Sequence, residues 1–263
     1  MVTEPYPALV VPAVGKHSAT IIFVHGLGDS GHGWKAAAET LGQNPSLQHI
    51  KWVLPHAHSR PVTVSNGKEI PAWFDICLNA LKGSEEQHEH VKVTPSGDLQ
   101  KVACNGFEDR EGILQSVQIL NDIIKEEIES GLGADRIVLG GFSQGGALSL
   151  LTGLTTEHKL GGVIALSALL HLQKELKDLI TQHARSLPIF WAHGDADSLA
   201  PTKLVDQSVD FLTSFGISRL EQEEFGKPGL AFVTYAGLGH SSSPDELRDM
   251  GQFMSRVVPV DTV

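Results

Sequence analysis

Arg136-Ile-Val-Leu-Gly-Gly-Phe-Ser-Gln-Gly-Gly-Ala-Leu-Ser-Leu-Leu151 is the stretch from which the rest of the chain can be read. Arg136 to Gly140 is a short β-branched run of the kind that forms a buried strand, and Ala147 to Leu151 opens an apolar helical segment. Between them stands Gly141-Phe-Ser-Gln-Gly145, a G-x-S-x-G turn. In such a strand-to-helix elbow the serine occupies a strained position, and the flanking glycines leave space for its hydroxyl to project above the sheet. A five-residue match alone would equally suit a serine capping an ordinary helix. The strand before it and the helix after it make Ser143 a candidate nucleophile.

The same alternation of strand and helix continues outward. Thr20–Val24, His49–Leu54, Arg136–Gly140, Gly162–Leu166, Leu187–Ala192 and Ala231–Tyr235 each read as a strand buried on both faces. That pattern predicts an α/β fold, a mainly parallel central sheet with helices on both faces. From Asp109 to Gly131 the apolar positions Ile113, Val117, Leu120, Ile124 and Ile128 form one stripe of a long amphipathic helix that Gly131 can end. Further helices are expected at Gly33–Gln43, Gln144–Leu154, Gln173–Ala184, Thr202–Phe215 and Pro244–Val257. The last begins with a capping-box pattern: Ser243 as N-cap, Pro244 in the first turn and Glu246 three residues after the cap. Leu78–Phe107 is polar and lacks periodicity, so it reads as a long surface loop, with residues 82–105 an insertion. No repeat or linker divides the chain, and residues 1–263 are expected to form one domain.

A nucleophilic serine needs a base, and the base needs an orienting carboxylate. In the α/β-hydrolase fold these follow in the order nucleophile, acid, histidine, on loops after later strands. His193-Gly-Asp-Ala-Asp197 follows one predicted strand and Gly237-Leu-Gly-His-Ser241 follows the next. The spacings, 54 residues from Ser143 to Asp197 and 43 from Asp197 to His240, leave room for one strand–helix–strand unit each. His240 is the expected base and Asp197 the expected acid. Asp195, nearer the strand end, is expected to bind its own turn backbone. His56, His58 and His193 are read as structural, and no metal site is expected, since the His-x-His pair has no set of further ligands near it.

Acyl transfer also requires donors for the oxyanion. The Gln144 amide supplies one, and Leu27, in the His25-Gly-Leu-Gly-Asp29 turn after the first predicted strand, the other. That turn has a rival reading, because Gly26-Leu-Gly-Asp-Ser-Gly31 matches a dinucleotide-binding G-x-G-x-x-G. Such a site wants an acidic residue at the end of the next strand. Here that strand ends Val-Leu-Pro-His-Ala, so no cofactor is expected.

Composition removes other classes. The chain has 263 residues, 41% hydrophobic and 19% charged, which suits a packed globular protein. A net charge of −11 without a dense Lys/Arg run argues against nucleic acid and anionic membranes as partners. The first twelve residues carry Glu4 and three prolines and do not resemble a secretory signal. The longest nearly apolar segment, Leu160–Leu170, is far shorter than the roughly 20 residues of a membrane span. Two cysteines, Cys77 and Cys104, are expected to remain free thiols in a reducing compartment. The expected location is the cytoplasm, with the nucleus left open.

Five blocks, Phe23-Val-His-Gly-Leu-Gly-Asp29, Pro71-Ala-Trp-Phe-Asp75, Gly140-Gly-Phe-Ser-Gln-Gly-Gly-Ala-Leu148, His193-Gly-Asp-Ala-Asp197 and Gly239-His-Ser241, together resemble the acyl-protein thioesterase and small carboxylesterase (lysophospholipase-like) branch of the α/β-hydrolases. The resemblance covers most of the chain. It implies Ser143, Asp197 and His240 as a triad, Leu27 and Gln144 as oxyanion donors, and hydrolysis of acyl thioesters on protein cysteines or of small esters through an acyl-enzyme. S-acylated proteins or small acyl esters would be the partners. The chain departs from the family in its longer polar stretch near residues 82–105, in Ala200 where valine is usual, and in Val2 where some animal members carry a lipidated cysteine. By that lipid route no stable membrane anchor is expected. Trp73, Phe74, Ile76, Leu78, Leu169, Leu170 and Leu199 are candidates for an acyl-binding wall, each with core packing as the competing reading. The connection between Leu166 and Leu187 is too short for a large cap domain. A short-chain carboxylesterase and a silent hydrolase-fold binding protein are the alternatives, and the sequence does not fix an oligomeric state.

Overall fold

The computed structural model describes residues 6–76, 88–93, 99–104 and 108–260. The strands, in chain order, are β1 (Ala8–Val11), β2 (Ala19–Val24), β3 (Ile50–Pro55), β4 (Ser59–Val62), β5 (Lys68–Pro71), β6 (His88–Val93), β7 (Leu99–Cys104), β8 (Ile137–Phe142), β9 (Gly162–Leu166), β10 (Pro188–Gly194), β11 (Arg219–Leu220) and β12 (Gly229–Tyr235). The helices are α1 (Lys35–Leu41), α2 (Arg110–Glu129), α3 (Gln144–Thr155), α4 (Gln173–Leu179), α5 (Thr202–Ser214) and α6 (Pro244–Val257). Eight strands form one sheet in the order β1-β3-β2-β8-β9-β10-β12-β11. Only β1 runs antiparallel to its neighbour, with Ala8 opposite Pro55; the remaining pairs are parallel.

Alternation along each strand divides the core in two. Ile22 and Val24 of β2 face a layer built from α2, α3, α4 and α5, whereas Ile21 and Phe23 face α1 and α6. α2 carries the predicted stripe: Ile113, Val117, Leu120, Ile123 and Ile124 are buried, and the Asp109 side chain caps its start by accepting from Gly112 N at 3.0 Å. Gly131 stands at φ +101 just past its end.

All six predicted strands are present, with ends shifted by a residue or two. Two further sheet strands were not expected. β1 lies between Pro7 and Pro12, and an edge strand tolerates those neighbours. β11 is only two residues long. The β4/β5 hairpin is announced by Asn66-Gly67, both at positive φ (55° and 75°). The expected helix Gln173–Ala184 is shorter: α4 ends at Leu179, Ile180 is extended, and a 3-10 turn covers Gln182–Ser186.

The structureless loop expected over Leu78–Phe107 is also corrected. β6 and β7 pair as an antiparallel hairpin, His88 opposite Cys104 and Val93 opposite Leu99. Val91 and Val93 alternate with His90 and Lys92, a period-2 signal hidden by the surrounding charge, and the Pro95-Ser-Gly97 signal falls between the two strands. The rest of that stretch, Leu78 included, lies outside the described residues.

The capping box at α6 is half formed. Ser243 Oγ accepts from Glu246 N at 3.1 Å, but the Glu246 carboxylate is fully buried and has no hydrogen-bond partner among the described residues.

Candidate active site

β8 delivers its last residue, Phe142, to the top of the sheet, and α3 begins two residues later. Ser143 between them has φ 55 and ψ −118, a strained backbone for a residue with a Cβ. It is held by Ser143 N donating to Leu166 O (2.9 Å) and Ala147 N donating to Ser143 O (3.0 Å). The flanking glycines have another purpose than the one read from sequence. A Cβ on Gly145 would overlap the Val24 carbonyl, and one on Gly141 would overlap the Gly145 backbone. They let β2, β8 and α3 pack backbone to backbone, and that contact fixes the elbow.

The loops after β10 and β12 bring the other two groups to Ser143. Ser143 Oγ donates to His240 Nε2 at 2.9 Å, and His240 Nδ1 donates to Asp197 Oδ2 at 2.7 Å. Asp197 Oδ1 accepts from the amides of Leu199 and Ala200, each at 2.9 Å. Burial pushes the Asp197 carboxyl up, but the His240 bond and those amides outweigh it, so its pKa lies below the ordinary value. His193 is wholly buried behind this carboxylate and donates from Nε2 to Ala200 O at 2.8 Å. Its pKa is lowered, chiefly by burial, which keeps the ring neutral.

Asp195 does bind a turn backbone, but across the loops rather than its own: Oδ1 accepts from Gly237 N at 2.6 Å. Asp195 N donates to Tyr235 O and Ala196 N to Leu238 O, while Gly194 has no room for a Cβ against Leu238. The acid-bearing and histidine-bearing loops are thereby joined.

Leu27 and Gln144 both line the cavity beside Ser143, and neither backbone N–H donates to a protein acceptor among the described residues. The Leu27 turn is braced from three sides. Gly28 N donates to Pro71 O at 2.8 Å; His25 donates to Gly26 O through Nδ1 and accepts from Ala57 N through Nε2; Trp73 Nε1 donates to His25 O. The Gln144 side chain, which the sequence reading did not single out, reaches the same segment. Its Oε1 accepts from Trp73 N (3.1 Å) and its Nε2 donates to Phe74 O (2.7 Å).

The cavity has a volume of about 310 Å³. Of the candidate acyl-binding residues, Phe74, Ile76, Leu169 and Leu199 line it. Trp73 and Leu170 do not; both are core residues, 1% and 3% exposed. Val64, Glu108, Phe142, Ala147, Ala168 and His171 line it and were missed. Asn66-Gly67 was the available signal for Val64, since the hairpin it marks carries that residue inward. Among the described residues, no group of three or more His, Cys, Asp or Glu is disposed to hold a metal ion.

A hydroxyl, imidazole and carboxylate in one hydrogen-bonded line at a strand–helix elbow of a mainly parallel sheet define a serine hydrolase of the α/β-hydrolase fold. Similarity to known proteins agrees. The phospholipase/carboxylesterase family matches residues 6–96 and 76–258, and the chain belongs to that family. Acyl-protein thioesterase 1 of Neurospora crassa is 41% identical over 255 residues, 96% of this chain and 92% of the fungal protein. Acyl-protein thioesterase 1 of Cryptococcus neoformans is 40% identical over 241 residues, 90% and 92% of the two chains. Among solved structures, Zea mays acyl-protein thioesterase 2 superposes with a TM-score of 0.72 at 26% identity, covering 96% of this chain and 99% of the maize chain. Arabidopsis thaliana SOBER1 gives 0.72 at 27% identity, covering 92% and 99%.

Proposed function

We propose that this chain hydrolyses fatty acyl thioesters on protein cysteines, and small carboxylic esters, through an acyl-enzyme on Ser143. The observation that carries the reading is the Asp197–His240–Ser143 line opening on a largely apolar cavity. Ser143 Oγ attacks the acyl carbon as His240 Nε2 takes its proton, with Asp197 holding Nδ1–H. The amides of Leu27 and Gln144 receive the oxyanion. Collapse expels the thiolate or alkoxide, to which His240 returns the proton, and water repeats the sequence to release the acid. Fungal relatives named acyl-protein thioesterase 1 support the thioester as substrate.

Labelling by a fluorophosphonate, followed by release of the fatty acid from an S-palmitoyl peptide, tests this. Wild type should do both and Ser143→Ala neither; an unlabelled Ser143 in the native protein overturns the mechanism. The second reading, a short-chain carboxylesterase, is favoured by the modest cavity volume. A steep rise in kcat/KM from acetyl to long acyl esters supports the thioesterase, and a flat or falling series supports the carboxylesterase. For location we propose the cytoplasm, on the sequence features given above, and cell fractionation tests it.

A further inference from the structure

Two imidazoles line the cavity, and each has a carboxylate at its Nδ1. His240 has Asp197. His171 has Glu108, whose Oε1 accepts from His171 Nδ1 at 2.9 Å. The first pair serves Ser143, while the second has no part in the hydrolysis described above. The Glu108 carboxylate also accepts from Leu172 N at 3.0 and 3.1 Å, and Leu172 stands at φ 52, so the backbone beside the histidine is fixed. Burial pushes the Glu108 carboxyl up, yet the bonds from His171 and Leu172 outweigh it and hold its pKa below the ordinary value. Glu108 is the acceptor and Nδ1 carries the proton, so the tautomer this pair selects has its lone pair on Nε2.

Among the described residues nothing hydrogen-bonds to that Nε2, although the side chain is only 19% exposed and borders the cavity. The ring stands edge-on to Phe74, centroids 5.1 Å apart, and the Phe74 carbonyl is held by the Gln144 side chain. His171 is thus one residue removed from the oxyanion side of the site. Val64, Phe74, Ile76 and Leu169 line the same cavity, along with the carboxylate-bearing Asp75 and Glu108. A plain alkyl chain covering the ring would strip water from an acceptor and replace it with nothing. A hydroxyl on that chain would supply the missing donor.

We propose that His171 is a specificity-determining residue, which selects acyl groups carrying a hydroxyl along the chain over alkyl acyl groups of the same length. This rests on the acyl-hydrolase reading above and narrows its substrate class. The oriented acceptor also predicts the order among oxygenated chains: a hydroxyl gains from the site, while its methyl ether, having no proton to donate, does not.

The test uses p-nitrophenyl esters of octanoic acid, of octanoic acids hydroxylated at each of the last three carbons, and of their O-methyl ethers. Wild type should favour at least one hydroxy ester over the plain ester by about tenfold in kcat/KM, and the matching ether should lose the gain. His171→Leu should abolish the preference while still turning over plain octanoate, and His171→Gln, which keeps an acceptor, should retain part of it. Equal hydroxy-to-plain ratios in wild type and His171→Leu, or no hydroxy preference in wild type, overturn the proposal. Fluorophosphonate labelling of Ser143 in all three proteins separates the two levels. Its absence in wild type falls on the hydrolase reading, and its presence without a hydroxy preference falls on His171 alone.

Discussion

Replacing Glu246 with glutamine should change how stability depends on pH. Glu246 lies three residues beyond the N-cap of α6, completely buried, and neither carboxylate oxygen has a hydrogen-bond partner among the described residues. Burial pushes its pKa from 4.5 up to about 7, opposed by the Ser243 backbone N–H near the carboxylate. Because the folded state holds the proton more tightly than the unfolded chain, wild type loses stability as pH rises from about 4.5 through about 7. The full loss is roughly 3 kcal/mol at 1.36 kcal/mol per pKa unit. Glutamine is neutral throughout and removes this slope. Tyr235, which donates to Asp249 at 2.9 Å, and Arg248, 3.5 Å from Asp249, are present in both proteins and cancel in the comparison. Urea unfolding at pH 5 and pH 8 measures it. The stability of Glu246→Gln relative to wild type should rise by roughly 2–3 kcal/mol between those conditions, since part of the loss already lies below pH 5, on the order of 5–10 °C in Tm. A relative stability that is the same at both pH values would refute the reasoning and mean that the carboxylate finds a partner or water.

Asp197→Asn should lower kcat by orders of magnitude, roughly the ~10⁴ seen when the orienting acid of a serine protease is so changed, whereas Asp195→Asn should cost far less; steady-state kinetics on a soluble ester gives both, and the reverse order would move the acid to Asp195. Gln144→Ala keeps its backbone amide but frees Trp73 N and Phe74 O. It should raise KM more than it lowers kcat and destabilise by about 1–3 kcal/mol, which kinetics and thermal melting can read. Gly145→Ala forces a Cβ into the Val24 carbonyl and should leave little folded protein, seen as lost soluble yield; normal folding would show that β2 and α3 can separate.

The elbow, the order of the three candidate side chains and the long helix were legible because each is set by local sequence. A strand must precede Ser143, and loops after later strands must supply Asp197 and His240. The cavity wall was not legible in the same way. Trp73 and Phe74 are adjacent, chemically alike and equally buried in one core cluster, yet Trp73 gives its indole N–H to His25 O while Phe74 also borders the cavity. Leu169 and Leu170 divide likewise. Only the tertiary arrangement decides which of two apolar neighbours packs and which lines a surface. His171 and Glu108, 63 residues apart, had no signal linking them. The β6/β7 hairpin was masked because Pro95-Ser-Gly97 was taken only as a break in periodicity, and the Asn66-Gly67 turn signal of the β4/β5 hairpin went unread.

The seam between the loops after β10 and β12, where Gly194 abuts Leu238 and Asp195 reaches Gly237, makes the imidazole and its carboxylate travel as one rigid part. The nucleophile is clamped to a different part, the β2–β8–α3 contact. The two parts meet at the 2.9 Å contact of Ser143 Oγ with His240 Nε2 and at the Phe142 ring, whose centroid lies 4.9 Å from that of His240. A strain that parted these contacts would leave the Asp197 bond to Nδ1, and with it the tautomer of the base, in place.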